Sequence, residues 1–390
     1  MSFIEPILTD EEVERYSRQL LLREIGVKGQ EKLKKSSVLV IGAGGLGSPA
    51  LLYLAGAGVG SIGIIDGDNI DLSNLHRQII YNTEDIGSSK SEAAAERIKK
   101  INPGIDVKPY HNYITMENAS LIIQDFDVVI NGTDNFSTRY LVNDTCVKLG
   151  IPLVDASAVM YEGQVAVYMP NNGCYRCLYP NPPEGKNAPS CSNSGVFGAL
   201  VGIMGSIQAM EALKVLLNIG HIYDSRLIYF NSLTGNFQTL LRKPNPNCPI
   251  CSNNISKDLK YAEECDIVEN KQPFELDNEV KHYEVKPLEL NVLKKDKSSY
   301  KVIDIRDRDM FNRGHIEGAI LVDETNLPQK IEELKSQYNL IIVCQFGKIS
   351  KHIQKEYNDI GIKNIWSLDG GIINWERYNL PLVKLDKTYS

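Results

Sequence analysis

A glycine-rich turn between a predicted strand and a predicted helix constrains the fold of this chain more than any other feature. Residues 37–42 form a short apolar run that ends in glycine, and residues 46–57, rich in Leu and Ala, predict the helix that follows. Further apolar strands are predicted over residues 61–66 and 127–131. Because continuous apolar strands alternate here with helices, the sequence predicts an α/β fold with a doubly wound parallel sheet, covered on both faces.

Length and composition indicate a soluble protein of two or three domains. The chain has 390 residues, 43% hydrophobic and 23% charged, and a formal net charge of −7, which favours neither nucleic-acid binding nor attraction to anionic membranes. The N-terminus lacks the basic and apolar regions of a secretory signal, which predicts a cytoplasmic protein. The apolar stretch 196–209 runs into Glu211 and Lys214, short of the about 20 residues that span a membrane, and predicts a buried or interface helix.

A change of composition after residue 252 predicts a domain boundary. Lys, Glu, Asp and Asn dominate from there to residue 299, with few sustained apolar runs. Three apolar strands are predicted beyond it, over residues 302–306, 340–344 and 365–368. We therefore predict a first domain over residues 1–252, a linker over 253–279 and a smaller C-terminal α/β domain over 280–390.

The glycine turn also predicts a nucleotide site. Gly42, Gly44 and Gly47 complete a G-x-G-x-x-G pattern, in which small residues let the phosphates of a ligand approach the helix N-terminus. Asp66, at the end of the next predicted strand, lies about the right distance onward to bind a ribose hydroxyl. These features alone leave an NAD-dependent dehydrogenase open.

An ordered set of polar residues narrows the choice. In chain order it contains Arg18, Asn74, Arg77, Lys90, Asp134 and Asn135. With their neighbouring residues, these positions resemble the adenylating enzymes of the ubiquitin-activating superfamily, especially the activators of the molybdopterin-synthase and thiamine sulfur carriers. The resemblance covers nearly all of residues 10–252 and implies a Rossmann-like doubly wound sheet that binds ATP.

The resemblance implies a nucleotide-binding set at matching positions. Within it, Gly45 would lie against the nucleotide and Asp66 would hold the ribose. The full set is Gly42, Gly44, Gly45, Gly47, Asp66, Ser73, Asn74, Leu75, His76, Arg77, Lys90, Asp134 and Asn135.

The charged members of this set suit adenylation chemistry. The resemblance implies that Asn74, Arg77 and Lys90 contact the phosphates. It also implies that Asp134 positions Mg²⁺ and that Arg18 reaches as an arginine finger into the site of a partner subunit, in a homodimer. A carboxylate that attacks the α-phosphate of ATP brings two anions together, so cations must neutralise the transition state. Each cation alone fits a solvated surface residue better, and the prediction rests on the ordered set.

Four of the eight cysteines form two C-x-x-C pairs. Cys174 and Cys177 make the first pair, and Cys248 and Cys251 make the second, about 70 residues later. Four thiolates can complete a closed tetrahedral Zn²⁺ site of the structural kind, which would clip a distant segment to the first domain. A redox C-x-x-C or buried thiols that only pack are the alternatives.

Cys191 lies in a small, polar segment, residues 188–195, just before the apolar stretch. A loop of this kind is a suitable place for a nucleophile. In the resembling family the matching cysteine attacks the acyl-adenylate or resolves a disulfide-linked intermediate, and we predict that role here. An idle surface thiol is the alternative.

Cys344 follows a predicted strand and opens a loop before a predicted helix. Backbone N–H groups of such a loop would stabilise a thiolate or persulfide anion. Residues 302–307 and 313–319 resemble the opening of a rhodanese domain and residues 367–375 its close, so this resemblance spans about 280–386. An inert rhodanese-like module is the alternative.

The loop departs from the rhodanese pattern. Rhodanese loops often carry Arg after the cysteine and near the loop end, whereas this chain has Gln345 and Ile349, with Lys348 as the cation inside the loop. Fewer fixed cations predict weaker binding of thiosulfate, a small dianion. Elsewhere in this segment, His315 is predicted to be structural, and the pair Asp304 and Arg306 to organise the fold.

Together the resemblances predict one reaction sequence. The first domain would adenylate the C-terminal glycine of a ubiquitin-like sulfur carrier with a Gly-Gly tail. A persulfide on Cys344 would attack the acyl-adenylate, and Cys191 would release the thiocarboxylate by forming a disulfide. A cysteine desulfurase persulfide or thiosulfate would supply the sulfur. The carrier is predicted to be of the molybdopterin-synthase small-subunit type, and carriers for thiamine, cysteine or tRNA thiolation are the alternatives, which no residue separates from it. The alternatives from other classes are an NAD-dependent oxidoreductase and a non-catalytic, zinc-stabilised scaffold.

Overall fold

A computed structural model describes residues 7–182, 195–252, 283–293, 300–323 and 325–384. The chain divides into two compact units, Met1–Glu269 and Asn270–Ser390. The predicted linker, 253–279, lies outside the described residues, so its boundaries stay predictions.

The first unit alternates strands and helices as the sequence predicts. Its elements are α1 (Asp10–Arg15), α2 (Ser17–Leu20), α3 (Gly26–Lys35), β1 (Ser37–Ile41), α4 (Gly47–Ala57), β2 (Ser61–Ile65), α5 (Lys90–Ile101), β3 (Asp106–Tyr110), α6 (Ala119–Ile123), β4 (Val128–Asn131), α7 (Phe136–Leu149), β5 (Leu153–Val159), β6 (Glu162–Tyr168), α8 (Tyr175–Leu178), α9 (Gly198–Leu217), β7 (Arg226–Asn231) and β8 (Asn236–Leu241). Two 3₁₀ turns, Leu72–Asn74 and Thr83–Asp85, lie between β2 and α5.

The eight strands form one sheet in the order β3-β2-β1-β4-β5-β6-β7-β8. The first five are parallel, as predicted, and β6, β7 and β8 extend the sheet in antiparallel fashion. The antiparallel part was not predicted. It begins because Met160 turns at a φ of 50° between β5 and β6, and a connection this short joins only antiparallel strands.

Both faces of the sheet are covered, in agreement with the continuous apolar strands. On β1, Val38 and Val40 join one apolar cluster while Leu39 and Ile41 join the other, and all four are at most 2% exposed. Two-sided burial explains why the strand reads as an unbroken apolar run.

The apolar stretch forms helix α9, which is long and apolar enough to cross a membrane by length and composition. It packs against α4, β5 and β6, as a core helix does. Its Glu211 is buried, pairs with Lys214 at 2.5 Å and accepts a hydrogen bond from the N–H of Tyr223 at 2.9 Å. The prediction of a buried helix is therefore confirmed.

The predicted glycine turn connects β1 to α4. Gly42 has a φ of 87°, and its N–H donates to the carbonyl of Ile65, at the end of β2, at 2.8 Å. A Cβ at Gly47 would lie 2.0 Å from the Gly42 carbonyl oxygen. Glycine at this position lets the N-terminus of α4 approach the strand ends closely.

The second unit is a smaller α/β fold. Its elements are β9 (Glu284–Val285), α10 (Pro287–Leu293), β10 (Tyr300–Asp304), α11 (Arg308–Arg313), β11 (Ile320–Leu321), α12 (Leu327–Leu334), β12 (Asn339–Val343), α13 (Lys348–Asp359), β13 (Ile365–Leu368) and α14 (Gly371–Arg377). The strands form a parallel sheet in the order β11-β10-β12-β13-β9. Strand β10 ends two residues before its predicted end because the Asp304 carboxylate accepts from the N–H of Arg306 at 3.0 Å, which turns the chain.

Candidate functional site

A cleft of about 450 Å³ opens at the carboxyl ends of β1, β2 and β4 in the first unit. This edge of a doubly wound sheet is where such folds bind nucleotides. The cleft brings together many of the predicted residues, namely Gly42, Gly44, Gly45, Asp66, Asn74, Arg77, Lys90, Asp134 and Asn135.

Asp66 is fixed at the floor of this cleft. Its carboxylate accepts hydrogen bonds from the N–H of Ala43 at 2.8 Å and of Asp68 at 2.9 Å. Burial raises the pKa of Asp66, and the charge of Lys90 opposes that rise. The carboxylate is thus held beside the glycine turn, where a ribose hydroxyl can donate to it.

Lys90 is a buried cation, so the reading as a solvated surface residue does not apply to it. Its side chain is 8% exposed, and the ammonium group lies 2.8 Å from the Asp68 carboxylate. The hydroxyl of Tyr113 donates to the same carboxylate at 2.5 Å. Tyr81 donates to the backbone carbonyl of Lys90 at 3.0 Å and to that of Ala43 at 2.8 Å, which ties the start of α5 to the glycine turn.

Arg77 is oriented by two residues that were predicted to touch nucleotide themselves. Its guanidinium donates to the carbonyl of Ser73 at 3.0 Å and lies 2.8 Å from Nε2 of His76. Burial and the neighbouring charge of Arg77 lower the pKa of His76, so the ring is a neutral acceptor at pH 7. Ser73 and His76 contact Arg77 and are not among the described residues that line the cleft. Leu75 and Gly47 are also not among them.

Asp134 and Asn135 follow β4 at the cleft mouth. Asn135 begins helix α7, where its side-chain oxygen accepts from the N–H of Thr138 at 2.8 Å. Asp134 is exposed, and within the described part of the chain its carboxylate has no hydrogen bond or ion pair. A carboxylate with no protein partner is available to a hard cation, so the residue fits the predicted Mg²⁺ role.

Sequence reasoning missed the buried pair behind this loop. Arg139 donates to the Asp155 carboxylate at 2.6 Å and to the carbonyl of Thr133 at 3.2 Å. Asn131 donates to the other oxygen of Asp155 at 2.8 Å. The pair anchors the loop that presents Asp134. The sequence signal that could have indicated this pair is a cationic residue, Arg139, one helical turn after the Asn that caps α7. Other lining residues that were missed are Asp68, Gln78, Tyr113, Gln164 and Tyr175.

Arg18 is exposed on α2 and is not among the described residues that line the cleft of its own chain. Its neighbour Gln19 lines a second, mostly apolar groove of about 490 Å³, formed by residues of α2, α3, α4 and α9 and of the chain between and after them. Large apolar side chains that line this groove are exposed, including Tyr53 at 60% and Met210 at 44%.

The four predicted ligand cysteines converge. Their sulfur atoms all lie within 4.8 Å of one another, with Cys174 and Cys248 3.6 Å apart and Cys177 and Cys251 3.4 Å apart. Hydrogen bonds from the Cys174 and Cys248 thiols lower the pKa of Cys177. Gly173, directly before Cys174, has a φ of 77°, and a Cβ there would lie 3.1 Å from Cα of Pro244. Four soft thiolate donors in one closed cluster fit Zn²⁺.

Cys191 lies outside the described residues, in the segment 183–194, so its predicted role stays a prediction.

Cys344 lies directly after β12, as predicted, and is 4% exposed. The N–H of Ser350, in the first turn of α13, donates to its sulfur at 3.4 Å. The first turn of α14 holds the loop in place, since the N–H groups of Ile372 and Ile373 donate to the carbonyls of Cys344 and Gln345. The sulfur thus lies at a helix N-terminus, where negative charge is stabilised.

Two groups that the sequence predicted to be structural lie in the same unit, and one of them, Arg306, contacts this loop. Arg306 pairs with the Asp304 carboxylate at 2.8 Å and also donates to the side-chain oxygen of Gln345 at 3.2 Å. His315 stacks on Phe311 with ring centroids 3.8 Å apart. These contacts fit the structural roles that the sequence predicted for Asp304, Arg306 and His315.

Two family models match the chain. The model of the ThiF family matches residues 16–250, and that of the rhodanese-like domain matches residues 288–378. The predicted combination of an adenylating domain with a rhodanese domain is therefore confirmed.

Curated relatives agree with the models. "Adenylyltransferase and sulfurtransferase MOCS3" of Culex quinquefasciatus is 36% identical over 95% of this chain and 88% of its own length. "Sulfur carrier protein adenylyltransferase" of Thermus thermophilus is 47% identical over 62% of this chain and 92% of its own. "SAMP-activating enzyme E1" of Haloferax volcanii is 41% identical over 66% and 96%.

Solved structures share the fold. The E. coli MccB structure with ATP has a TM-score of 0.55 and 23% identity over 64% of this chain and 77% of that one. The chain therefore belongs to the ThiF family and is an adenylyltransferase and sulfurtransferase of the type that joins a ThiF domain to a C-terminal rhodanese-like domain.

Proposed function

We propose that this enzyme adenylates the C-terminal glycine of a ubiquitin-like sulfur carrier and then converts it to a thiocarboxylate. The observation that carries the proposal is the single cleft that combines the glycine turn, a buried Lys90 and an unpartnered Asp134 at the carboxyl ends of parallel strands. The three relatives named above support the carrier as the substrate class.

The cleft residues divide the work of adenylation. Asp66 accepts from the ribose and fixes the nucleotide against the glycine turn. Lys90 and Arg77 neutralise charge on the phosphates as the carrier carboxylate attacks the α-phosphate. Asp134 holds Mg²⁺, which when bound supplies charge to orient the leaving pyrophosphate.

Sulfur transfer then uses two cysteines. The terminal sulfur of a Cys344 persulfide attacks the acyl-adenylate carbonyl, AMP leaves, and the carrier is joined to Cys344 through an acyl disulfide. The Cys191 thiolate attacks the Cys344 sulfur, which forms a Cys191–Cys344 disulfide and releases the carrier as its thiocarboxylate. A cellular thiol must reduce that disulfide before the next cycle.

The deciding experiment is ATP–pyrophosphate exchange with purified, zinc-loaded enzyme and several small carriers that end in Gly-Gly. Exchange with one carrier would identify it among the molybdopterin, thiamine, cysteine and tRNA-thiolation classes. Absence of exchange with every carrier would contradict the proposal and favour a scaffold. Binding of a nicotinamide dinucleotide in place of ATP would favour an oxidoreductase.

We also propose a cytoplasmic homodimer in which Arg18 of each subunit completes the site of the other. The exposed apolar side chains around the second groove need a cover, and a second copy of the chain supplies one. Arg18 lies next to this groove, so the same contact would carry its guanidinium to the partner.

Mixing two inactive variants tests this dimer. Arg18→Ala and Asp134→Ala should each lose exchange activity. In a mixed dimer, the site with an intact Asp134 also receives an intact Arg18, so random re-association should restore about a quarter of wild-type activity. Lys90→Ala mixed with Asp134→Ala is the matched control and should restore none, because both residues belong to the same chain's cleft. Failure of the first mixture to recover would contradict the shared site.

We propose that the sulfur donor is a protein persulfide. Phe346 and Ile349 are 62% and 53% exposed beside the buried Cys344, and Lys348 is the cation that the loop itself contributes. An apolar rim suits a protein surface better than a small dianion. At equal concentration, a cysteine desulfurase persulfide should load Cys344 at least about tenfold faster than thiosulfate. Mass spectrometry of the Cys344 peptide measures both rates, and equal rates would contradict this donor.

A further inference from the structure

Cys344 shares its buried surroundings with two serine hydroxyl groups. Ser350 and Ser367 are both 0% exposed. Oγ of Ser350 lies 3.3 Å from the Cys344 sulfur and 2.8 Å from Oγ of Ser367. The sulfur and the two hydroxyls therefore form one continuous hydrogen-bonded row, from the end of β12 through α13 to β13.

The Ser350 hydroxyl has one proton, and besides Oγ of Ser367 it has two alternative acceptors. Its oxygen lies 3.2 Å from the carbonyl oxygen of Gly347 and 3.3 Å from the Cys344 sulfur. When Cys344 is a thiol, its S–H can donate to Ser350, whose own proton goes to the Gly347 carbonyl. When Cys344 is a thiolate, which only accepts, the Ser350 hydroxyl can turn to the sulfur while Ser367 donates to Ser350. Each hydroxyl is satisfied in both states.

We propose that Ser350 is a catalytic hydrogen-bond donor to the Cys344 thiolate and that Ser367 is a positioning residue that orients the Ser350 hydroxyl. The inference rests on the proposed sulfurtransferase function and specifies how the site favours the reactive form. In the loading step, the thiolate attacks the terminal sulfur of the donor persulfide. A new S–S bond forms on Cys344, the donor S–S bond breaks, and its electron pair leaves with the donor thiolate.

Most charged groups around the loop are paired or exposed. Arg306 is paired with Asp304, and Lys351 lies 3.1 Å from Glu284. The ionisable groups nearest the loop in sequence are Lys348, which is exposed, His352, which lies 3.3 Å from Glu356, and Asp369, which is half-buried. Of the described side chains, the one within hydrogen-bonding distance of the sulfur is that of Ser350. A charge-assisted hydrogen bond from it is stronger than a neutral one, so its removal should be measurable.

The test is the rate of Cys344 alkylation by iodoacetamide against pH in the full-length protein, followed on the Cys344 peptide by mass spectrometry. Ser350→Ala should move the midpoint of the profile upward by about one pH unit and lower the rate at pH 7 about tenfold. The rate at high pH, where the sulfur is ionised in both proteins, should be unchanged. Ser367→Ala should produce a smaller shift, about threefold in rate.

Thr325→Ala is the matched control, because it removes an exposed hydroxyl of the same unit that bonds to Asp323. It should leave the profile unchanged. An unshifted midpoint in Ser350→Ala would overturn the proposal, as would an equal fall at every pH, which indicates a packing role. If Ser350→Ala does not fold, Ser367→Ala decides, since it keeps the Ser350 contact with Cys344. If the wild-type protein shows no persulfide turnover but Ser350→Ala still shifts the midpoint, the proposed sulfurtransferase function is rejected and the role of Ser350 stands.

Discussion

Replacement of Asp134 by alanine is expected to lower ATP–pyrophosphate exchange by at least about 100-fold while Cys344 is still loaded with sulfur at the wild-type rate. The residue is exposed, and within the described chain its carboxylate makes no hydrogen bond or ion pair, so its loss should cost little stability. It does remove the carboxylate that is available to Mg²⁺ at the cleft. Cys344 belongs to the other compact unit, so its chemistry should continue.

Two further variants serve as controls for this prediction. Asp125→Ala removes an exposed carboxylate of the same unit and should leave both activities unchanged. Cys344→Ala should do the reverse of Asp134→Ala, with normal exchange and no thiocarboxylate from a persulfide donor. Equal loss of both activities in Asp134→Ala would contradict the division of labour, and normal thiocarboxylate formation by Cys344→Ala would contradict the relay.

The parts of the fold that depend on local signals were predictable from the sequence. An unbroken apolar run such as β1 has few alternatives to two-sided burial in a sheet. The turn after it needs glycine, because a Cβ at Gly47 would collide with the Gly42 carbonyl. The cysteine cluster was predictable from its two C-x-x-C motifs, because each spacing suits two ligands of one ion.

The contacts that position the site could not be predicted, because their partners are far apart in sequence. Asp68 and Tyr113 are separated by 45 residues and Arg139 and Asp155 by 16, and a single sequence gives no sign of which polar residues meet. Motif matching also treats neighbouring residues alike. It predicts a nucleotide contact for Ser73, whose hydroxyl in the structure donates to the Asp71 carboxylate at 2.5 Å and whose carbonyl accepts from Arg77.

Removal of the predicted zinc is expected to destabilise the first unit by at least about 5 kcal/mol and to lower its melting temperature by about 10 °C or more. Cys174 and Cys248 are 0% exposed, so without metal their thiols stay buried close together with no ion to hold them. The cluster joins residues 74 positions apart, and its loss should free the segment around Cys248 from the turn before α8. Cys248→Ser should act like chelation.

Cys146→Ala is the matched control, because Cys146 is a buried free thiol of the same unit outside the cluster. It should cost only about 1–2 kcal/mol. Zinc analysis should give one ion per chain in the control and none in Cys248→Ser. An unchanged melting temperature after chelation would contradict a structural metal.

Loss of zinc should alter the cleft as well as lower the melting temperature. Tyr175 follows the ligand Cys174 directly and lines the cleft, where its ring lies 5.7 Å from the guanidinium of Arg139. The N–H of Tyr175 also donates to the side-chain oxygen of Asn143 on α7 at 2.8 Å. If the metal fixes this turn, chelated enzyme should lose ATP–pyrophosphate exchange even below its melting temperature, while sulfur loading of Cys344 persists. If the metal-free, folded enzyme kept its ATP–pyrophosphate exchange activity, the ion would contribute to stability only and would not affect the cleft.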